Sequence, residues 1–233
     1  MVKKVRKSMT KLTDILSEAN IKDPSKAVLQ DCKALFTSYA NTTNNKSSLE
    51  RLYKKKDNPF LKSVLDGQKF SKKTLYRGIV NWKGGEFKKG KKVKFGFDGW
   101  SDNINIALQF TGVTKAAKGN RILFVMEKPI GAFLNLNSFG NSLQKNIKMV
   151  RPDYDFDDLD LNKMWDYIET ENDPLIEKLS DVYRIANTHK HGRGESETIT
   201  EPQSLRITQI KDTQQDIPSM NLKGQHMKII YVS

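Results

Sequence analysis

Thr74-Leu75-Tyr76-Arg77-Gly78-Ile79-Val80 is the stretch at which this chain changes character. Its aromatic and β-branched residues read as a strand. Upstream the apolar residues recur at helical spacing; downstream they come in short, separated runs. Helices first, then several short strands, predict an α+β fold rather than a parallel βαβ series.

Working back from Thr74, residues 1–70 read as helical. Leu12, Ile15, Leu16 and Ala19 form one apolar stripe. Asp23-Pro24-Ser25 is a start signal, with Asp23 at the N-cap and Pro24 at the first helical position. The helix it opens carries Ala27, Val28, Leu29, Leu35, Phe36 and Tyr39, and the polar run Asn41-Thr42-Thr43-Asn44-Asn45 predicts its closing turn. Ser48 is placed to cap a third helix bearing Leu49, Leu52 and Tyr53. Asn58-Pro59 breaks that helix and opens a short fourth with Phe60, Leu61, Val64 and Leu65, ended at Gly67.

Working forward, Lys92–Phe97 alternates Val93, Phe95 and Phe97 on one face, a strand signature. Phe97-Asp98-Gly99-Trp100-Ser101-Asp102-Asn103 reads as strand entering turn, and Asn105–Phe110 as a short helix. Arg121–Glu127 is an apolar run of buried-strand type closed by Pro129. Residues 137–185 read as an insertion, with helical patterning over Asp160–Thr170 and over Asp173–Ile185. Strands return at Glu197–Thr200, Leu205–Ile210 and Met227–Val232.

The chain has 233 residues, 37% hydrophobic and 29% charged, enough for one large domain and unlike a disordered composition. No apolar run approaches the roughly 18 residues of a membrane helix. The basic start, Met1-Val2-Lys3-Lys4-Val5-Arg6-Lys7, leads into polar residues without the apolar stretch of a secretory signal. The single cysteine, Cys32, sits among Val28, Leu29, Ala34 and Leu35, so packing is its expected role; a lone cysteine also fits a reducing compartment. The expected location is therefore cytoplasmic. Net charge is +13, spread over Lys3–Lys11, Lys54–Lys56, Lys72–Lys73 and Lys88–Lys94. Such a field attracts nucleic acid or acidic partners, with no single helix set up for sequence-specific readout.

The chemistry-bearing residues fall in three places. Arg77 stands within Leu75-Tyr76-Arg77-Gly78. Ser101 stands in Trp100-Ser101-Asp102-Asn103. Glu195-Ser196-Glu197 opens a late strand. An ExE at a strand start sets two carboxylates on one face, where their repulsion raises one pKa and lets the two divide acid–base work. Taken singly each element has a plainer reading: a surface arginine, an ordinary Asp-Asn turn, two solvated acids. Their order along one chain is what carries weight.

In that order the three elements resemble the arginine-serine-glutamate class of mono-ADP-ribosyltransferases. The compact size, helical N-terminus and Leu-Tyr-Arg-Gly opening look most like the T4-like bacteriophage Mod/Alt enzymes. The resemblance covers roughly residues 74–233. It implies a helical N-terminal region, residues 1–72, packed on a split antiparallel β-sandwich catalytic core, residues 73–233. It further implies NAD as substrate, release of nicotinamide, and transfer of ADP-ribose to arginine on a host protein.

By the same resemblance Arg77 forks onto the pyrophosphate through paired charge-assisted hydrogen bonds. Tyr76, Gly78, Trp100 and Ser101 line the cofactor with it. Ser101 orients Glu197, and Glu197 binds the 2′-hydroxyl of the nicotinamide ribose while positive charge develops there. Glu195 accepts the proton of the attacking guanidinium. The class carries Ser-Thr-Ser where this chain has Ser101-Asp102-Asn103. A basic, catalytically inert module that binds nucleic acid or an acidic protein is the rival expectation. A glycohydrolase acting on water is a lesser one.

Three further features of the sequence carry weaker signals. His189-Lys190-His191-Gly192-Arg193-Gly194 reads as a mobile target-recognition loop. Its two histidines lack a third ligand at metal spacing, so no metal is expected. The acidic run Asp153, Asp155, Asp157, Asp158 and Asp160 fails as a calcium loop, with Asp158 where glycine and Met164 where glutamate would stand. No Walker-type loop or dinucleotide glycine fingerprint is present, so NAD would bind outside a Rossmann frame.

Overall fold

The structure is a computed structural model that describes residues 23–37, 42–80, 82–112, 121–152, 154, 156, 174–191, 197–217 and 221–233. The described residues fall into two compact units, divided at Gln68/Lys69, Ser138/Phe139 and Arg193/Gly194. One is helical. The other holds all the strands and one helix, so the α+β expectation is met.

The helical unit contains α1 (Lys26–Thr37), α2 (Thr42–Lys54), α3 (Pro59–Asp66), α5 (Leu136–Val150) apart from its first residues, and α6 (Pro174–His191). Each buries a stripe at three- to four-residue spacing. α1 buries Val28, Leu29, Cys32, Leu35 and Phe36; α5 buries Phe139, Leu143 and Ile147; α6 buries Ile176, Leu179, Val182, Tyr183 and Ala186. Phe36 and Phe139 meet with ring centroids 6.0 Å apart. Asp31, buried on α1, is satisfied by Arg51 Nε at 2.5 Å and Lys55 Nζ at 2.7 Å. The Lys33 ammonium of α1 bonds the Asp181 carboxylate of α6.

Three boundaries differ from the sequence reading. α6 runs to His191, past the expected end at Ile185, so residues 189–191 are helix and not loop. α1 is capped by Ser25, whose Oγ accepts from Val28 N at 3.3 Å, while Asp23 bonds Arg151 at 2.6 Å. α2 begins at Thr42 rather than Ser48, so the Thr42–Asn45 turn is in fact helix. Its anchors are the buried Leu49 and Leu52, and packing of that face overrides the weak propensity of the leading Thr-Thr-Asn-Asn. α3 follows the reading: Asn58 Oδ1 accepts from Leu61 N at 3.2 Å, Pro59 stands at the first turn, and Gly67 closes it. The stripe at Leu12–Ala19 and the helix over Asp160–Thr170 lie outside the described residues.

The strand unit orders its eight strands β2-β7-β8-β4-β1-β3-β6-β5. They are β1 (Leu75–Ile79), β2 (Lys92–Phe95), β3 (Asp98–Ser101), β4 (Arg121–Met126), β5 (Ala132–Asn135), β6 (Glu197–Thr200), β7 (Gln203–Ile217) and β8 (Leu222–Val232). β1 pairs with β4 along its whole length, from Leu75↔Met126 to Ile79↔Ile122. With β3 it is joined only through Tyr76↔Ser101. The sheet is thereby split at the β1/β3 seam into a five-stranded and a three-stranded part.

Among the described residues all strand pairings are antiparallel except β4 with β8. The split, mainly antiparallel core that was expected thus carries one parallel ladder, which the long chain between these strands permits. The expected strand Lys92–Phe97 stops at Phe95. Asp98 Oδ2 accepts from Gly96 N at 2.8 Å and bends the chain, so β2 joins β7 and β3 joins β6.

Two layers cover the sheet's faces. On one, Leu75, Val93, Phe95, Trp100, Ile122, Phe124, Leu205, Ile207 and Ile230 form the main core. On the other, α4 (Ile104–Gly112) sets Ala107 and Leu108 against Leu123, Val125, Met227 and Tyr76.

Candidate active site

Directly opposed residues in neighbouring strands share a face. Tyr76 pairs with Ser101, and Ser101 pairs with Glu197. Three of the residues singled out from the sequence therefore stand in one row across β1, β3 and β6, at the seam where the sheet splits. Tyr76 and Glu197 are half-buried and Ser101 is buried.

The Glu197 carboxylate is seated on Gly99. Gly99 lies two residues before Ser101 and so faces the same way. A Cβ built there would stand 1.6 Å from Glu197 Oε1 and 2.6 Å from its Cδ. No other residue type leaves room for this side-chain position. Sequence reasoning missed Gly99 as a site residue. The signal was available, since a glycine within a strand marks a bulge or a close approach, and the i, i+2 relation to Ser101 fixes its face.

Ser101 is held by the turn that follows it. Its Oγ accepts from Asn103 N at 3.1 Å, and Asn103 Oδ1 accepts from Asn105 N at 3.0 Å to cap α4. The departure Asp102-Asn103 thus has a local purpose, as Asn103 starts the helix. With its oxygen accepting from Asn103, the Ser101 hydroxyl keeps its own proton to donate.

Arg77 follows Tyr76 in β1 and so points to the opposite face, that of Leu75 and of its buried partner Phe124, and the register does not bring it into the row of Glu197. Its Nη1 donates to the Gly99 carbonyl at 2.6 Å and its Nη2 bonds Asp98 Oδ1 at 2.7 Å. Its Nε is buried and has no hydrogen-bond partner among the described residues. The guanidinium is therefore fixed by β3, about a quarter exposed, and each Nη carries a second hydrogen. Asp98, which aims it, was not among the site residues read from the sequence.

Gly78 and Trp100 have structural surroundings. A Cβ on Gly78 would lie 1.8 Å from the Ala107 carbonyl oxygen, so its bareness lets the α4 backbone close on β1. Trp100 is 1% exposed and packs on Phe95 with centroids 5.3 Å apart, so its ring faces the main core. Glu195 and Ser196 lie outside the described residues, as do the Gly192–Gly194 loop and the Asp153, Asp155, Asp157, Asp158 and Asp160 side chains. His189 and His191 end α6, and their side chains are likewise outside. Among the described residues no group of three His, Cys, Asp or Glu could hold a metal ion. No described helix is long and apolar enough to cross a membrane. Burial, with Asp31 beside it, pushes the Cys32 thiol up to about 12, which leaves it protonated and unreactive.

No protein-family model matches the chain, and no curated protein matches it. Among solved structures it is similar to the ADP-ribosyltransferase Vis in complex with an inhibitor, at 14% identity and a TM-score of 0.41, covering 92% of this chain and 74% of that one. It is similar to the Vis toxin, an ADP-ribosyltransferase from Vibrio splendidus, at 15% identity and a TM-score of 0.38, covering 92% and 74%. A third match is Vis in complex with agmatine, at 13% identity and a TM-score of 0.39, covering 92% and 76%.

Proposed function

We propose that this chain is an NAD-dependent mono-ADP-ribosyltransferase that modifies arginine side chains of a host protein. The observation that carries the reading is the row Tyr76–Ser101–Glu197 at the split seam, with the Glu197 carboxylate lodged on Gly99.

That row suits the chemistry. As the bond between C1′ of the ribose and the nicotinamide nitrogen breaks, nicotinamide leaves with the electron pair and the ribose becomes cationic. A carboxylate fixed beside the ribose 2′-hydroxyl stabilises that cation more than the ground state. Glu197 takes this part. Ser101, with a proton to donate and its oxygen anchored by Asn103, orients it. Arg77, held by Asp98 and the Gly99 carbonyl on the other face of β1, would have to reach across the seam to fork onto the pyrophosphate. A guanidine nitrogen of the target attacks C1′ and gives up one proton, for which Glu195 is the base. The products are nicotinamide, the ADP-ribosylated arginine and that proton. On the Leu75-Tyr76-Arg77-Gly78 opening and the helices before it, the enzyme is of the T4-like phage Mod/Alt type, acting in the host cytoplasm.

The test is incubation of the purified chain with labelled NAD and a bacterial lysate, with Glu197→Gln alongside. The expected result is label on discrete protein bands, released by neutral hydroxylamine and lost in the variant. Transfer that survives Glu197→Gln would overturn the assignment of the carboxylate.

A further inference from the structure

The sheet face that bears Glu197 does not end at α4. Register carries one row across six strands: Gln209 on β7, Tyr231 on β8, Val125 on β4, Tyr76 on β1, Ser101 on β3 and Glu197 on β6. The row follows strand order around a curled sheet: Phe95 of β2 packs 5.3 Å from Trp100 of β3, five strand steps away, so the outer faces of the two ends turn away from a shared core. The β7 end of this face is built from cations. Lys92 and Lys94 of β2 and Arg206 of β7 alternate with the buried Val93, Phe95, Leu205 and Ile207, so they point outward. Lys92 stands directly opposite Arg206. Arg206 exchanges backbone bonds with Ser233, which shares the face of Tyr231. Lys211 lies opposite Ile229, and its ammonium rests 4.9 Å from the centre of the Tyr231 ring.

Charges on β7 are sorted by face. Arg206 and Lys211 take the Glu197 side, while Asp212 pairs with Lys228 on the other. No acid stands among the described β2, β7 and β8 positions of the cationic face. Like charges directly opposed across strands destabilise a sheet, so Lys92 against Arg206 costs stability until an anion bridges them. Ser204 and Thr208 are exposed between these cations. Protein interfaces centre on apolar and aromatic residues and deplete lysine. Lys, Arg, Ser and Thr without an apolar centre are the residues that contact phosphates.

We infer that the outer face of β2 and β7, through Lys92, Lys94, Arg206 and Lys211, docks the phosphate backbone of a nucleic acid. The inference stands apart from the transferase reading, because the binding it describes needs neither NAD nor Glu197.

The test is fluorescence anisotropy of a labelled 20-nucleotide oligo-uridine RNA with the full chain across a salt series, without NAD. Lys92→Gln/Arg206→Gln/Lys211→Gln is expected to weaken binding at least about tenfold at fixed salt. It is also expected to flatten the log–log salt slope by about two, three lost phosphate contacts at about 0.7 each. The control Lys26→Gln/Lys54→Gln/Lys145→Gln removes equal charge from exposed positions of the helical unit and is expected to change affinity less than about threefold. Equal losses in both variants would show that binding follows net charge alone and would overturn the site. A poly-glutamate peptide bound as tightly as the RNA at equal salt would replace nucleic acid with an acidic protein. Arg206→Gln alone, followed by thermal melting, guards against a folding artefact: with the Lys92 repulsion relieved its melting temperature should hold or rise.

Discussion

The two glycines at the seam look alike in sequence and answer to opposite tests. At Gly99 an added methyl meets the far end of the Glu197 side chain, which can swing away. Gly99→Ala should therefore fold with at most about 1 kcal/mol lost. Its displaced carboxylate should cost about 100-fold in kcat, the scale of a 1 Å misplacement, with the KM for NAD little changed. At Gly78 the methyl meets the Ala107 backbone at 1.8 Å, which cannot yield without moving α4. Gly78→Ala should cost about 1–3 kcal/mol as overpacking does, seen as a lower denaturation midpoint. If Gly99→Ala kept full turnover, the carboxylate would not work from the seat it occupies here. At this scale Arg77, Ser101 and Glu197 stand out in the sequence because each proposed chemistry admits few residue types, and the register brings Ser101 and Glu197, with Tyr76, into one row. Gly99 carried the signal of a strand glycine and was passed over, whereas Asp98 was out of reach, since an aiming carboxylate is defined only by what the neighbouring strand brings to it.

Among the elements, those with strong punctuation were readable and those held by packing were not. Asn58-Pro59 and Gly67 bracket α3, and the apolar run 122–126 of β4 announces a buried strand. α5 was invisible: Leu136-Asn137-Ser138-Phe139-Gly140-Asn141 is poor in helix formers, and the helix exists because Phe139, Leu143 and Ile147 are each buried completely. The outer reach of the β7–β8 hairpin was missed for a related reason. Lys211-Asp212-Thr213-Gln214-Gln215-Asp216 has no apolar alternation, and β4 pairs with β8 only from Met227 onward. The helical elements also carry a pH dependence. Burial raises the Asp181 pKa, but the bonds from Lys33 and then Arg184 outweigh it and hold the carboxyl below its ordinary value. The Arg151 hydrogen bond holds Asp23 low as well. A carboxyl lower in the folded than in the unfolded state stabilises the fold above the unfolded value, about 3.9 for aspartate, and loses that as pH falls through the folded one. Urea midpoints followed by circular dichroism should therefore fall below about pH 4, and Asp181→Asn should flatten that fall. An identical acid limb in the variant would mean that the Lys33–Asp181 bond does not form in solution.

For the whole molecule the decisive fact is that the helical unit is not contiguous. The sequence texture sets a boundary near residue 72, as if helices came first and a self-sufficient core followed. The compact units divide otherwise, since Phe139–Arg193 belongs with the helices that precede Gln68. Its apolar faces are covered from there: Phe36 lies on Phe139, Ser142 Oγ donates to the Val64 carbonyl at 2.7 Å, and the Lys33–Asp181 bond ties α1 to α6. A chain of residues 73–233 would keep every strand and uncover Phe139, Leu143, Ile147, Leu179 and Val182, each fully buried in the intact protein. At about 1.5–3 kcal/mol for each such side chain the exposure is on the order of 10 kcal/mol, as large as the whole stability of an ordinary domain. That fragment should aggregate or express without a cooperative melt. A fragment that also lacks 139–193, with a short glycine-serine link from Ser138 to Gly194, should be the more soluble of the two. If the 73–233 fragment instead melted cooperatively and stayed monomeric, α5 and α6 would have to find cover without α1, α2 and α3, and the division into these two units would be wrong.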